Sequence, residues 1–390
     1  MKTFFTNLIY LYLYFSVAGA LTFFPPDPPL YKFTRTLNGE ILPDNEDEEN
    51  DDKDNDENDS SSSSSSNKES KPNNTNDPEE ATNDSPASGA TLEAPPEIHP
   101  AQALTERALL MRKRAKKRNA RDALDHSRGV TYTFVPDPRL SSPPTSSGTL
   151  EAIKVPHLGK QLRASTRIHV ACTIYRIRQD RVTDQTKTLI YSHGNATDIG
   201  AMHFMQLILA KGLKCNVVMY DYSGYGESGG VSLESNTYAD IEAVYDYVLK
   251  NVVKDGNEKS IILYGQSVGG GPSCYLAAKE SEVGGLILHS AFLSGMRVLT
   301  SNRALACLDI FPNLTRIKKV CCPVFIIHGM LDEEVAFAHG KALQDAVPDD
   351  CRRTPWWVRD RGHNDITDGR VKVLEYIQKM KIYFESLDHD

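Results

Sequence analysis

From residue 188 onward, short apolar runs alternate with stretches of helical length. The runs are 188–191, 215–220, 261–264, 286–289, 324–327 and 356–358. The helical stretches include 199–212, 234–251 and 371–384. A continuous apolar run marks a strand buried on both faces, and strands separated by helices pair in parallel. This pattern predicts a mostly parallel twisted sheet with helices on both faces. Upstream, 150–155 and 167–175 alternate like a paired antiparallel hairpin. In such a sheet ligands bind where the loops collect, at the carboxyl ends of the strands. The one sizeable insertion, 290–323, is short for a lid, so the site is expected to be small-capped and open to a bulky substrate.

The run 261–264 leads into Gly265-Gln266-Ser267-Val268-Gly269, and a helix-forming stretch follows. A serine at a sharp strand-to-helix turn is forced out of the sheet, where a base can reach its hydroxyl. Gly265 and Gly269 are needed because side chains beside that turn would clash. A serine hydroxyl is a poor nucleophile until a histidine, oriented by a carboxylate, takes its proton. The expected chain order is nucleophile, acid, base. Asp332 lies just past the strand-like 324–327, at the active edge of the sheet, with Glu333 and Glu334 as nearby alternatives. His363 stands in the glycine loop Arg361-Gly362-His363-Asn364, after the run 356–358 and before the last helix. His289 and His328 end strands and read as structural, and His339 lies on a helix. An oxyanion hole needs backbone N–H groups aimed at the developing charge. Val268, next to the nucleophile, offers one. Asn195, in Ser192-His193-Gly194-Asn195-Ala196, offers the other.

No metal, nucleotide or cofactor site is expected. The glycines of Ser228-Gly229-Gly230 and Gly269-Gly270-Gly271 read as turns, because no Lys-Ser/Thr pair follows them. The net charge of −8 is concentrated in 44–57, which holds ten acidic residues and one lysine, followed by the serine run 60–66. Such a stretch buries too little apolar surface to offset its ordering entropy. It says nothing in favour of nucleic-acid binding. A basic run, Arg112-Lys113-Arg114-Ala115-Lys116-Lys117-Arg118, lies in the helix-prone 101–126. It suits an anionic membrane surface or nuclear import, or else an exposed helix or an intramolecular partner for the acidic run. Seven cysteines, none before 172 and none in metal spacing, read as buried thiols of a reducing compartment.

At the amino terminus, Lys2 precedes an apolar stretch ending in Ala18-Gly19-Ala20. This is the form of a secretory signal peptide. The 21 mostly apolar residues 4–24 also suit an uncleaved membrane anchor. Asn195-Ala196-Thr197 is a glycosylation sequon inside the expected oxyanion loop, where a glycan would block the site. With the unpaired cysteines, it favours a membrane-attached protein whose enzyme domain faces the cytosol. Secretion after cleavage is the alternative. The expected division is an apolar segment with a Pro-rich leash over 1–37, a disordered acidic and serine-rich insertion with a basic helix over 38–149, and an enzyme domain over 150–390.

Several motifs resemble one known group. They are Tyr191-Ser192-His193-Gly194-Asn195-Ala196, Tyr220-Asp221-Tyr222-Ser223-Gly224-Tyr225-Gly226, Tyr238-Ala239-Asp240-Ile241, Leu263-Tyr264-Gly265-Gln266-Ser267-Val268-Gly269 and Gly362-His363-Asn364-Asp365. Leu288-His289-Ser290, Ser294-Gly295-Met296-Arg297-Val298 and Phe23-Phe24-Pro25-Pro26 match as well. Together they resemble the α/β-hydrolase-domain-containing protein 17 group, over about 150–385 and a short N-terminal piece. The resemblance implies an α/β-hydrolase fold and a serine thioesterase that removes palmitate from membrane-protein cysteines. It carries the nucleophile to Ser267, the acid to Asp332 and the base to His363. This chain departs from the group in lacking an N-terminal cysteine cluster for palmitoylation, and in having Ala291 where relatives usually carry proline. Its expected partners are S-acylated membrane proteins or lipid acyl substrates, at a membrane surface. A lipid or carboxyl esterase, a peptidase-like hydrolase and a non-catalytic scaffold on the same fold are the competing readings.

Overall fold

The computed structural model describes residues 23–43, 100–139, 148–161, 164–183, 185–295, 298 and 309–388. The apolar stretch up to residue 22, the acidic and serine runs and part of the insertion 290–323 lie outside the described residues. Among the described residues, eleven strands form one sheet. In chain order the elements are β1 (Tyr31–Leu37), β2 (Glu40–Ile41), α1 (Pro100–Arg128), β3 (Thr131–Pro136), β4 (Gly148–Gln161), β5 (Ala164–Ile177) and β6 (Thr188–Ser192). There follow α2 (Ile199–Leu213), β7 (Asn216–Tyr220), α3 (Glu234–Asn251), β8 (Ile261–Gln266), α4 (Gly270–Lys279) and β9 (Gly285–His289). The chain continues with α5 (Asn313–Arg316), β10 (Val324–Gly329), α6 (Phe337–Ala346), β11 (Trp356–Val358) and α7 (Arg370–Ser386).

The spatial order is β11-β10-β9-β8-β6-β7-β5-β4-β3-β1-β2. Strands β6 to β11 pair in parallel, as their apolar runs require. The remaining pairs are antiparallel, including the long β4–β5 hairpin and the β5–β7 join. Side chains alternate along each strand, so one strand feeds two cores. Ile261 and Leu263 of β8 pack with Ile241 and Val244 of α3, Leu276 of α4 and Leu343 of α6. Ile262 and Tyr264 pack on the other face with Leu207 of α2 and Met380 of α7. This is the α/β-hydrolase architecture, with every central strand covered on both sides.

The division expected at residue 150 differs from the structure. Residues 31–41 and 101–136 belong to the same compact unit as the later chain. In β1, Tyr31, Phe33 and Arg35 point inward, a two-residue alternation hidden behind a proline-rich approach. Among the described side chains of α1, the buried positions are Ala115, Asn119, Asp122 and Asp125. They recur every three to four residues and so form one stripe, but a polar one that hydrophobic periodicity does not detect. Lys154 Nζ stands 2.7 Å from Asp122, and Arg35 Nε donates to Asp125 at 2.6 Å. Buried carboxylates need such partners, and removing one partner strands a charge. Part of the basic run thus has an intramolecular role. Arg118 donates to the carbonyls of Gly226 and Ser228, while Lys113 and Lys116 remain exposed.

Candidate active site

Strand β8 ends at Gln266 and Ser267 turns the chain at φ +51°, ahead of α4. A non-glycine residue in this left-handed region is strained, and it holds the serine side chain clear of the sheet. The crowding behind that bend is severe. A Cβ on Gly265 would lie 2.5 Å from the Gly269 carbonyl, and one on Gly269 would lie 2.1 Å from the Ser192 carbonyl. Both glycines are therefore dictated by backbone approach. The loop after β6 comes close too, since a Cβ on Gly194 would lie 3.9 Å from Ser267 Cβ.

Strand β10 delivers the second group. Asp332 follows its end, with a fully buried carboxylate. The loop after β11 delivers the third. His363 Nδ1 lies 2.8 Å from Asp332 Oδ2, and His363 Nε2 lies 3.0 Å from Ser267 Oγ. An ionised carboxylate only accepts hydrogen bonds, so Nδ1 carries the proton and donates it. Nε2 is left with its lone pair facing the serine hydroxyl. Burial alone would raise the Asp332 pKa. Bonds from His328 and His363 and from the Val335 N–H outweigh it and hold the carboxyl well below the usual range. Its other oxygen accepts the N–H groups of Glu334 and Val335 at 3.0 and 2.8 Å. Glu334, one of the sequence alternatives, is largely exposed, and its side chain reaches His363 Nε2 only at 3.8 Å.

His328 is the penultimate residue of β10, and its Nε2 lies 3.3 Å from Asp332 Oδ2 and 2.8 Å from the Val335 carbonyl. His289 ends β9, with Nδ1 2.6 Å from the Tyr264 hydroxyl. Burial pushes its pKa down to about 3. Both histidines support strand ends, the role their positions suggest. Val268 is buried at the first turn after Ser267, next to the loop 192–196. In that loop the Asn195 side-chain oxygen accepts the Tyr225 hydroxyl at 2.7 Å and the Phe24 N–H at 3.0 Å. Sequence reasoning assigned no role to Tyr225 or Phe24, because such long-range bonds leave no local pattern.

Such an arrangement can move a proton from a serine hydroxyl to an imidazole. Among the described residues, no group of His, Cys, Asp and Glu is placed to hold a metal ion. A surface recess of about 350 Å³, lined by Lys187, Cys215 and Lys381 among others, lies at the amino ends of β6 and β7. That is the opposite end of the strands from Ser267, so it has no part in this chemistry. Also among the described residues, no helix is long and apolar enough to cross a membrane.

The family model described as "Serine aminopeptidase, S33" matches residues 183–315, which include Ser267 but neither Asp332 nor His363. Alpha/beta hydrolase domain-containing protein 17B of Homo sapiens is 42% identical over 223 residues, covering 56% of this chain and 72% of that protein. The aho-3 protein of Caenorhabditis elegans is 42% identical over 205 residues, covering 52% of this chain and 59% of its own length. Protein 17C of Xenopus laevis is 42% identical over 195 residues, covering 50% of this chain and 60% of that protein. The match thus spans about six tenths of the length of the last two.

Proposed function

The chain belongs to the α/β-hydrolase-domain-containing protein 17 family of hydrolases, and from that premise we propose that it is a serine thioesterase that removes fatty acyl groups from cysteines of membrane proteins. In this reading Ser267 is the nucleophile, His363 the base and Asp332 the group that orients it. The observation that carries it is the 3.0 Å approach of His363 Nε2 to a serine held at φ +51°.

The Ser267 oxygen attacks the acyl carbon as His363 Nε2 takes its proton. The new imidazolium stays paired with the Asp332 carboxylate. Charge on the acyl oxygen falls to the N–H groups of Val268 and Asn195, each such donor being worth about 10²- to 10³-fold in rate. The thiolate then leaves, taking the proton from His363. Water then attacks the acyl-serine as the same imidazole takes its proton, and His363 returns that proton to Ser267 Oγ as the acid leaves. The account includes attachment to a membrane through the apolar stretch before residue 24, with the hydrolase unit facing the cytosol. Its support is that stretch and, among the described residues, the buried cysteines Cys172, Cys215, Cys274, Cys322 and Cys351.

A second reading is hydrolysis of an oxygen ester or an amide by the same groups, supported by the aminopeptidase description of the matched model. A substrate panel separates the two. The purified protein should cleave a palmitoyl-cysteine peptide with a kcat/KM at least tenfold above that for a monoacylglycerol or an aminoacyl amide. The reverse order would replace the thioesterase reading.

A further inference from the structure

The segment before β1 is bonded to both ends of the loop behind Ser267. At one end, the Phe24 N–H reaches Asn195 Oδ1 at 3.0 Å and the Tyr225 hydroxyl oxygen at 3.1 Å. The Tyr225 hydroxyl donates to the same Asn195 oxygen at 2.7 Å. That oxygen also takes the Ala196 N–H at 3.0 Å, in a turn where Ala196 sits at φ +54°. At the other end, the Leu30 N–H donates to Asp198 Oδ2 at 2.7 Å, while Asp198 Oδ1 caps α2 through the Ala201 N–H at 2.9 Å. The Phe23 ring is 2% exposed and meets Tyr225 and Phe311 edge-on, at centroid distances of 6.3 and 6.1 Å. Tyr225 is fixed from behind as well. Its loop is gripped by α1, through Arg118 on the Gly226 carbonyl and Asn119 on the Gly230 N–H.

A short loop with a residue in the left-handed region does not hold its shape alone. Here its two ends are tied down by residues 170 or so positions earlier in the chain. We propose that residues 23–30 are a strap that positions the oxyanion loop, with the Phe24 N–H and the Tyr225 hydroxyl as positioning groups acting through the Asn195 side chain. The proposal rests on the serine-hydrolase reading and deepens it. It makes the N-terminal segment part of the working site rather than a tether to it. Whatever pulls residues 23–24 away also loosens the loop and slows the acylation step.

The test is steady-state kinetics of the full chain on a short-chain p-nitrophenyl ester, with fluorophosphonate labelling alongside. Tyr225→Phe removes one hydroxyl. Phe24→Pro removes the N–H and is compared with Phe24→Ala, which keeps it. The expected result is a kcat for Tyr225→Phe about ten- to a hundredfold below the parent, with KM within twofold and the melting temperature unchanged. Phe24→Pro should fall at least tenfold below Phe24→Ala in kcat. The double variant should be no slower than the worse single one, because both changes break the same bonds. Parental kcat in Tyr225→Phe and equal rates in the two Phe24 variants would overturn the strap, as would a loss that follows thermal stability alone. Failure of the parent to label with the fluorophosphonate would instead strike the serine-hydrolase reading beneath it.

Discussion

His328 Nε2 lies 3.3 Å from the same Asp332 oxygen that accepts the His363 Nδ1–H hydrogen bond at 2.8 Å. One carboxylate oxygen thus joins the two strand ends that frame the site. The Asp332 side chain has no exposed surface, and four donors from His328, His363, Glu334 and Val335 surround it. It stays ionised under these conditions and keeps the imidazole in a single tautomer.

Asp332→Asn preserves the shape but can present an amide N–H where an acceptor is needed. The wrong imidazole tautomer then faces Ser267. The expected loss is about 10⁴-fold in kcat, with a melting temperature close to the parent. Steady-state kinetics check it, and a loss below tenfold would remove Asp332 from the account.

Ser267 is strained at φ +51°. Glycine adopts that conformation freely, whereas alanine does not. Ser267→Gly should therefore be more stable than Ser267→Ala by about 1 kcal/mol, although both lack the proposed nucleophile. Thermal or urea unfolding of the two variants measures the difference. Equal stabilities would mean that the bend is relaxed.

The glycines divide by what a side chain would meet. Gly269→Ala would drive a Cβ to 2.1 Å from the Ser192 carbonyl and 2.8 Å from that of His193. Backbone on both sides cannot yield cheaply, so a loss of about 2–4 kcal/mol is expected. Gly194→Ala would meet Ser267 Cβ at an ordinary 3.9 Å and should cost under about 1 kcal/mol. Denaturant midpoints for the pair check the contrast.

Glu227 lies where α1 meets the loop after β7. Burial works to raise its pKa, but Lys154, Arg118 and Arg121 outweigh it and bring it down from 4.5 to about 2. A carboxyl with a depressed folded pKa stabilises above its unfolded value, and that stability is lost as pH falls through the folded one. The parent should lose on the order of 3 kcal/mol from this group between pH 4.5 and 2. Glu227→Gln should flatten that interval in a pH series of unfolding measurements. An unchanged slope would contradict the pairing.

What the sequence made legible follows physical range. The central strands announce themselves because their burial on both faces leaves unbroken apolar runs such as 261–264. The bend at Ser267 is legible because its glycines are forced by local crowding. His363 and Asp332 can be singled out by chain order, since the loops after parallel strands meet at one end of the sheet. The docking of α1 was not legible, because its buried stripe of Asn119, Asp122 and Asp125 looks like a solvated face until Lys154 and Arg35 are beside it. Strand β1 was masked in the same way, as Tyr31 finds its hydroxyl partner only at Asp221, 2.5 Å away and 190 positions later.

The most direct test of the central claim is mass spectrometry of the chain after reaction with a fluorophosphonate, for the parent, Ser267→Ala and His363→Ala. The account predicts one stoichiometric adduct in the parent, on the peptide containing Ser267. It predicts none in Ser267→Ala, and labelling slowed by several orders of magnitude in His363→Ala. An adduct on another residue, or equal labelling of a folded Ser267→Ala protein, would contradict it.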